Sequence, residues 1–177
     1  AALCRRSDEE GLSKMVSGID AEGGSASGHL VNAAKEGAIE ELVAEVEKIG
    51  PIDTVLFNLG AQVGGRKLED TTLKVFELGW QMACLGLFRL AKVLIPLMEE
   101  RGGGKILVTS ATAAVRGNAG QHSHAAAMGG RRMLCQTLNA QFASKGIHVA
   151  HILIDGAVDA LINLIKEHGD WIDPVSL

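Results

Sequence analysis

The sequence predicts an α/β fold, a parallel β-sheet covered by helices on both faces. Three observations predict it. Strand-length apolar runs alternate with helix-length segments along the chain. At least two of those runs are continuously apolar, as strands buried on both sides require. The connections between them are long enough for helical crossovers, which parallel pairing demands and right-handedness constrains. A length of 177 residues fits a single domain, residues 1–177, and is enough to bury a core.

The elements follow in order. Ala1-Ala2-Leu3-Cys4 is a short strand whose start is missing, and residues 8–22 read as a polar helix. Residues 25–31 form a short strand. Residues 35–49 form an amphipathic helix with Ile39, Leu42, Val43 and Val46 on one face, ended by Gly50-Pro51. Residues 52–58 are an apolar strand. A long helix over 75–100 ends in acidic residues and the Gly102-Gly103-Gly104 turn. Strand 105–110, helix 122–144, strand 149–154 and a last helix over 161–168 complete the pass. No repeat, low-complexity tract or interdomain linker interrupts it. Gly23 to Gly28 is glycine-rich, but no apolar strand precedes it, so it reads as a loop rather than a phosphate cradle.

Composition narrows the function. Aromatic residues make up 3% of the chain and there is no tyrosine, which excludes a tyrosine proton donor and argues against a base-stacking platform. The net charge of −4 provides no basic field for nucleic acid. Cys4, Cys84 and Cys135 are odd in number and lack CxxC spacing, as expected of reduced thiols in a cytoplasmic protein. No uninterrupted apolar run reaches the roughly 18 residues of a membrane span, so no membrane partner is expected. The N-terminal basic pair is not followed by the apolar region of a signal peptide.

The stretch from Val108 to Met128 is the most informative. A strand ends in Thr109-Ser110-Ala111, a loop with Gly117 and Gly120 follows, and His122-Ser123-His124 opens a helix that reaches Met128 four residues later. Phe57-Asn58-Leu59-Gly60 closes an earlier strand, and Asp155-Gly156 with Val158-Asp159-Ala160 follows the last one. Together these segments resemble the short-chain dehydrogenase/reductase family, which pairs a serine with Tyr-x-x-x-Lys and carries Asn-Asn-Ala-Gly after its fourth strand.

The resemblance covers nearly the whole chain. It implies a three-layer, doubly wound Rossmann-like sheet. The first β-α unit and the C-terminal helix and strand would be missing, so the chain reads as a fragment or a truncated product. It implies an NAD(P)-dependent oxidoreductase lineage, moving hydride to or from a small carbonyl or alcohol in the full-length parent. The alternative is a catalytically inactive scaffold or binding protein. The family's Asn-Ser-Tyr-Lys positions fall on Ala83, Ala111, His124 and Met128, a divergent active site. Of these only His124 can move a proton near neutral pH, and a structural or ligand-contacting role is its other reading. Ser110 neighbours the serine position, but adjacent strand residues point to opposite faces.

For the cofactor, the resemblance implies NADP(H) in the parent. Arg5 and Arg6 would face the 2′-phosphate, or else simply cap a strand as an exposed pair. Asn32 falls near the adenine, Asn58 and Gly60 line the dinucleotide, and Asp155 and Gly156 lie beside the nicotinamide. Without the family's glycine-rich turn, this chain alone should bind NADP no more tightly than about millimolar, near −4 kcal/mol. The histidines are too dispersed for a metal site, and no GxSxG supports hydrolase chemistry. A homo-oligomer is expected through helices 75–100 and 122–144, which carry Leu87, Phe88, Leu90, Val93 and Leu94, and Met133, Leu134, Leu138 and Phe142.

Overall fold

A computed structural model of the chain describes residues 1–60 and 67–155. The elements run β1 (Ala2–Arg5), α1 (Glu9–Ala21), β2 (Ser27–Leu30), α2 (Ala38–Ile49), β3 (Thr54–Phe57), α3 (Leu73–Trp80), a π turn (Gln81–Leu85), α4 (Gly86–Glu100), β4 (Gly104–Ala111), α5 (His122–Phe142) and β5 (Ile147–Ile154). The expected helix over 161–168 lies outside the described residues.

The three later strands are parallel and adjacent in the order β3-β4-β5, as the crossovers predict. Thr54 pairs with Lys105, and Lys105 with His148. β1 and β2 form a second parallel ladder. Among the described residues the two ladders share no strand.

Both faces carry helices. A side chain on Gly28 would meet Leu12 and Val16 of α1, whereas the next residue, His29, lies 3.4 Å from Glu45 of α2. Alternation along a strand therefore puts α1 and α2 on opposite faces of the β1-β2 ladder. On β4, Ile106 and Val108 are fully buried, and they join Leu87, Leu94 and Met98 of α4 and Cys135 and Leu138 of α5 in one core. α4 and α5 thus cover the same face of the sheet. On the other face Leu56, Ile152 and Ile154 remain exposed.

Two helices differ from expectation. α2 begins at Ala38 rather than residue 35, because Gly37 takes a left-handed φ of 79° that breaks the helix. The helix expected over 75–100 begins at Leu73, capped by the Thr72 hydroxyl, and is interrupted by the π turn. By length and composition the continuous helical stretch Leu73–Glu100 could cross a membrane, with a mean hydropathy of 1.5. The expectation concerned an uninterrupted apolar run, and Lys74, Glu77, Gln81, Arg89 and Lys92 interrupt this one; averaged hydropathy tolerates such interruptions. In this fold it packs on α2, α5 and β4, and 44% of its most apolar window is buried. Its lower end is fixed by Arg101, which donates to both Glu47 carboxylate oxygens at 2.6 and 3.1 Å and to the Ile52 carbonyl at 3.3 Å.

Candidate active site

The site is set by how α5 begins. The Ser123 hydroxyl donates to the carbonyls of Val75 and Phe76 at 3.1 and 3.3 Å, tying the first turn of α5 to α3. Gly79 makes this approach possible, since a Cβ there would overlap the Ser123 hydroxyl. His124, next along the helix, is half-buried.

The other three inherited positions come together without a polar group among them. Ala83, Ala113, Ala114, Ala127 and Met128 form a buried cluster, with Ala111 packed against it. Ser110 was expected to turn away from this region. Instead it is buried, and its hydroxyl donates to the Met128 Sδ at 3.4 Å. Ser110 shares the core face of Ile106 and Val108, the face that α5 covers, and this brings it to Met128.

The sequence reading missed Arg131. Its side chain is 2% exposed, and no carboxylate pairs with it among the described residues. Instead Nε donates to the Ala83 carbonyl at 3.0 Å, Nη1 to Thr109 at 2.9 Å and Nη2 to Leu59 at 2.7 Å. The guanidinium lies 5.1 Å from the centre of the Phe57 ring. Burial pulls its pKa down to about 10, which leaves it a cation at neutral pH. The neighbouring Cys135 thiol is pushed up to about 11, by burial first. A signal was present in the sequence. Arg131 falls on the stripe Ala127, Met128, Cys135, Leu138, so a charge occupies a core position of α5.

The expected cofactor residues that fall among the described residues lie at or just beyond the carboxyl ends of strands, where open α/β sheets bind ligands. Arg5 ends β1, with Arg6 beyond it; Arg5 is paired with Asp8 and donates to Met15 Sδ at 3.3 Å, while Arg6 is exposed. Asn32 follows β2, and its side-chain oxygen accepts from the Ala34 amide at 3.2 Å. After β3, Asn58 Oδ1 accepts from the Thr109 hydroxyl at 2.6 Å. A Cβ on Gly60 would meet nothing within 4 Å, so the backbone there is open to a ligand. Asp155 is exposed beyond β5, and Gly156 lies outside the described residues. These residues fit a dinucleotide in part. The open backbone at Gly60 and the exposed Arg6 suit it, whereas the Arg5 fork is already engaged by Asp8. Among the described residues no three His, Cys, Asp or Glu side chains are grouped to hold a metal ion.

The short chain dehydrogenase family profile matches residues 1–163. The chain belongs to this family. It is 24% identical over 149 residues to the ketoacyl reductase HetN of Nostoc sp. (strain PCC 7120), covering 84% of this chain and 52% of that one. A short-chain dehydrogenase from Rhodopseudomonas palustris superposes with a TM-score of 0.83 at 31% identity, over 97% of this chain and 80% of that one. A 7α-hydroxysteroid dehydrogenase in complex with NADH and 7-oxoglycochenodeoxycholic acid also gives 0.83, at 24% identity, over 93% of this chain and 64% of that one. This member of the family spans about half the length of the curated relatives it matches. The match places a short-chain dehydrogenase fold on a chain without tyrosine.

Proposed function

We propose that the chain forms part of an NAD(P)-dependent oxidoreductase acting on a small carbonyl or alcohol in the whole protein. The observation that carries this reading is the placing of Arg6, Asn32, Asn58 and Gly60 beyond the carboxyl ends of their strands, and of His124 in the first turn of α5, within a fold of this family. Arg6, and Arg5 if it leaves Asp8, would hold a 2′-phosphate, which favours NADP(H). Asn58 and the open backbone at Gly60 would line the dinucleotide. When bound, the cofactor supplies or accepts hydride.

This chain's own part in the reaction is proton transfer. In the reducing direction the His124 imidazolium gives its proton to the oxygen of the substrate carbonyl, and in the oxidising direction the neutral ring takes one from the alcohol. The side chains of Ala83, Ala111 and Met128 cannot donate hydrogen bonds, so they supply no second proton donor to that step. The same cluster favours a second reading, a scaffold that kept the fold and lost the chemistry. Turnover of NADPH with carbonyl substrates by the whole protein supports the first. Binding without turnover, across a broad panel, supports the second.

The association surface is narrower than the sequence suggests. Leu87, Leu90, Leu94 and Leu138 are buried inside this chain, which leaves Phe88 and Met133 exposed and Val93, Leu134 and Phe142 partly covered. A homo-oligomer through α4 and α5 would be centred on Phe88 and Met133. With three free cysteines, a cytoplasmic location is part of the proposal.

A further inference from the structure

We propose that Arg131 is the positioning residue of the candidate site. Its guanidinium is the cross-link that fixes three backbone segments carrying inherited site positions or their neighbours. This rests on the reading of that region as an active site.

The three acceptors belong to three different elements. Leu59 lies in the loop after β3 that presents Asn58 and Gly60. Ala83 sits in the π turn, at one of the inherited catalytic positions. Thr109 is the residue before Ser110 near the end of β4. No backbone ladder joins the π turn to either strand, and among the described residues the loop after β3 has no ladder pairing to β4 beyond Phe57, its other tie being the Asn58–Thr109 side-chain bond. One planar fork with fixed donor directions sets all three carbonyls at once, which a flexible ammonium cannot do.

A π turn inside a helix turns a carbonyl out of the regular pattern, and such turns gather at functional sites. Here Arg131 Nε accepts the role of partner to that region by donating to Ala83. The position is also informative in the chain. Met128, at the place of the family's cation, is apolar, and a cation reappears three residues later on the same stripe of α5. Three carbonyls rather than a carboxylate surround it, so the site retains a net positive charge. His151 on β5 senses that charge: its pKa is lowered by burial first, then by Arg131 and Arg132.

The test compares Arg131→Lys and Arg131→Met with the wild-type 177-residue chain by amide hydrogen exchange and by NMR titration of His151. Lysine keeps the charge and loses the fork; methionine loses both. In Arg131→Lys, the amides of Cys84 and Ser110, which share peptide units with two of the held carbonyls, should exchange about tenfold faster or more, while those of α1, β1 and β2 stay unchanged. In Arg131→Met the same local loss should appear, and the His151 titration should move up. Exchange that accelerates equally throughout the chain, or stays unchanged at Cys84 and Ser110, would overturn the proposal. If Arg131→Met does not fold, Arg131→Lys decides by the same outcomes. The measurement needs no cofactor, so its failure is separable from a failure to find turnover.

Discussion

Ser110 Oγ donates to Met128 Sδ across the seam between β4 and α5, at 3.4 Å. A hydroxyl therefore faces a thioether at the point where the family places a lysine. Met128 is 2% exposed, and Arg131, one turn along, already brings a buried positive charge. Restoring the family residue with Met128→Lys should destabilise the fold by about 3–5 kcal/mol, the range for an uncompensated buried charge. The sign with pH follows from burial. The lysine's folded pKa falls below its unfolded value, so between the two the unfolded chain binds more protons and stability rises with pH. Denaturant melts at pH 7 and pH 10 check it; equal stability to wild type at pH 7 would show that the pocket is wetter than described.

The contact between α3 and α5 gives a second expectation. Glycine to alanine in a helix interior ordinarily gains about 1 kcal/mol. At Gly79 the added methyl would overlap the Ser123 hydroxyl, which would have to release the Val75 and Phe76 carbonyls. Gly79→Ala should therefore destabilise, by about 1–3 kcal/mol, the usual cost of overpacking. Chemical denaturation reads it directly, and a stabilised variant would contradict the close approach.

A third expectation concerns pH. His151 Nε2 is buried and has no hydrogen-bond partner among the described residues, and burial lowers the ring's folded pKa below its ordinary value. As pH falls through about 6.5, the unfolded chain takes up a proton that the folded chain refuses. Stability should thus be level above that pH and fall below it. Thermal melts from pH 7.5 to 5.5 should show the decline, and His151→Phe should flatten it. A decline of the same size in the variant would assign the effect elsewhere.

Phe88 and Met133 remain 48% and 51% exposed on the helices that cover the sheet. If these helices form the proposed interface, Phe88→Ser with Met133→Glu should turn a dimer or larger assembly into a monomer without loss of secondary structure. Sedimentation at micromolar concentration decides it. A wild-type monomer would remove the proposal.

Much of this fold was legible because strand-length apolar runs and long crossovers leave few alternatives. The parallel direction of β3, β4 and β5 follows from connection length. The start of α2 was not legible, since Lys35 and Glu36 are good helix formers and the break depends on the backbone angle of Gly37. The π turn has no period of its own in sequence. At the site, the substituted positions Ala83, Ala111 and Met128 could be read, but their collapse into one apolar cluster could not. Arg131 was hidden by its neighbour. Arg131-Arg132 looks like a surface pair, and only the phase of α5 sends the first inward and leaves the second half-exposed.

The most direct test of the account is NADPH oxidation by the whole protein against a panel of small ketones and aldehydes, repeated with His124→Phe. The account predicts turnover in the wild type and a loss of about 10²–10⁴-fold in the variant, with the fold intact by circular dichroism. A variant that turns over at the wild-type rate would contradict the role of His124.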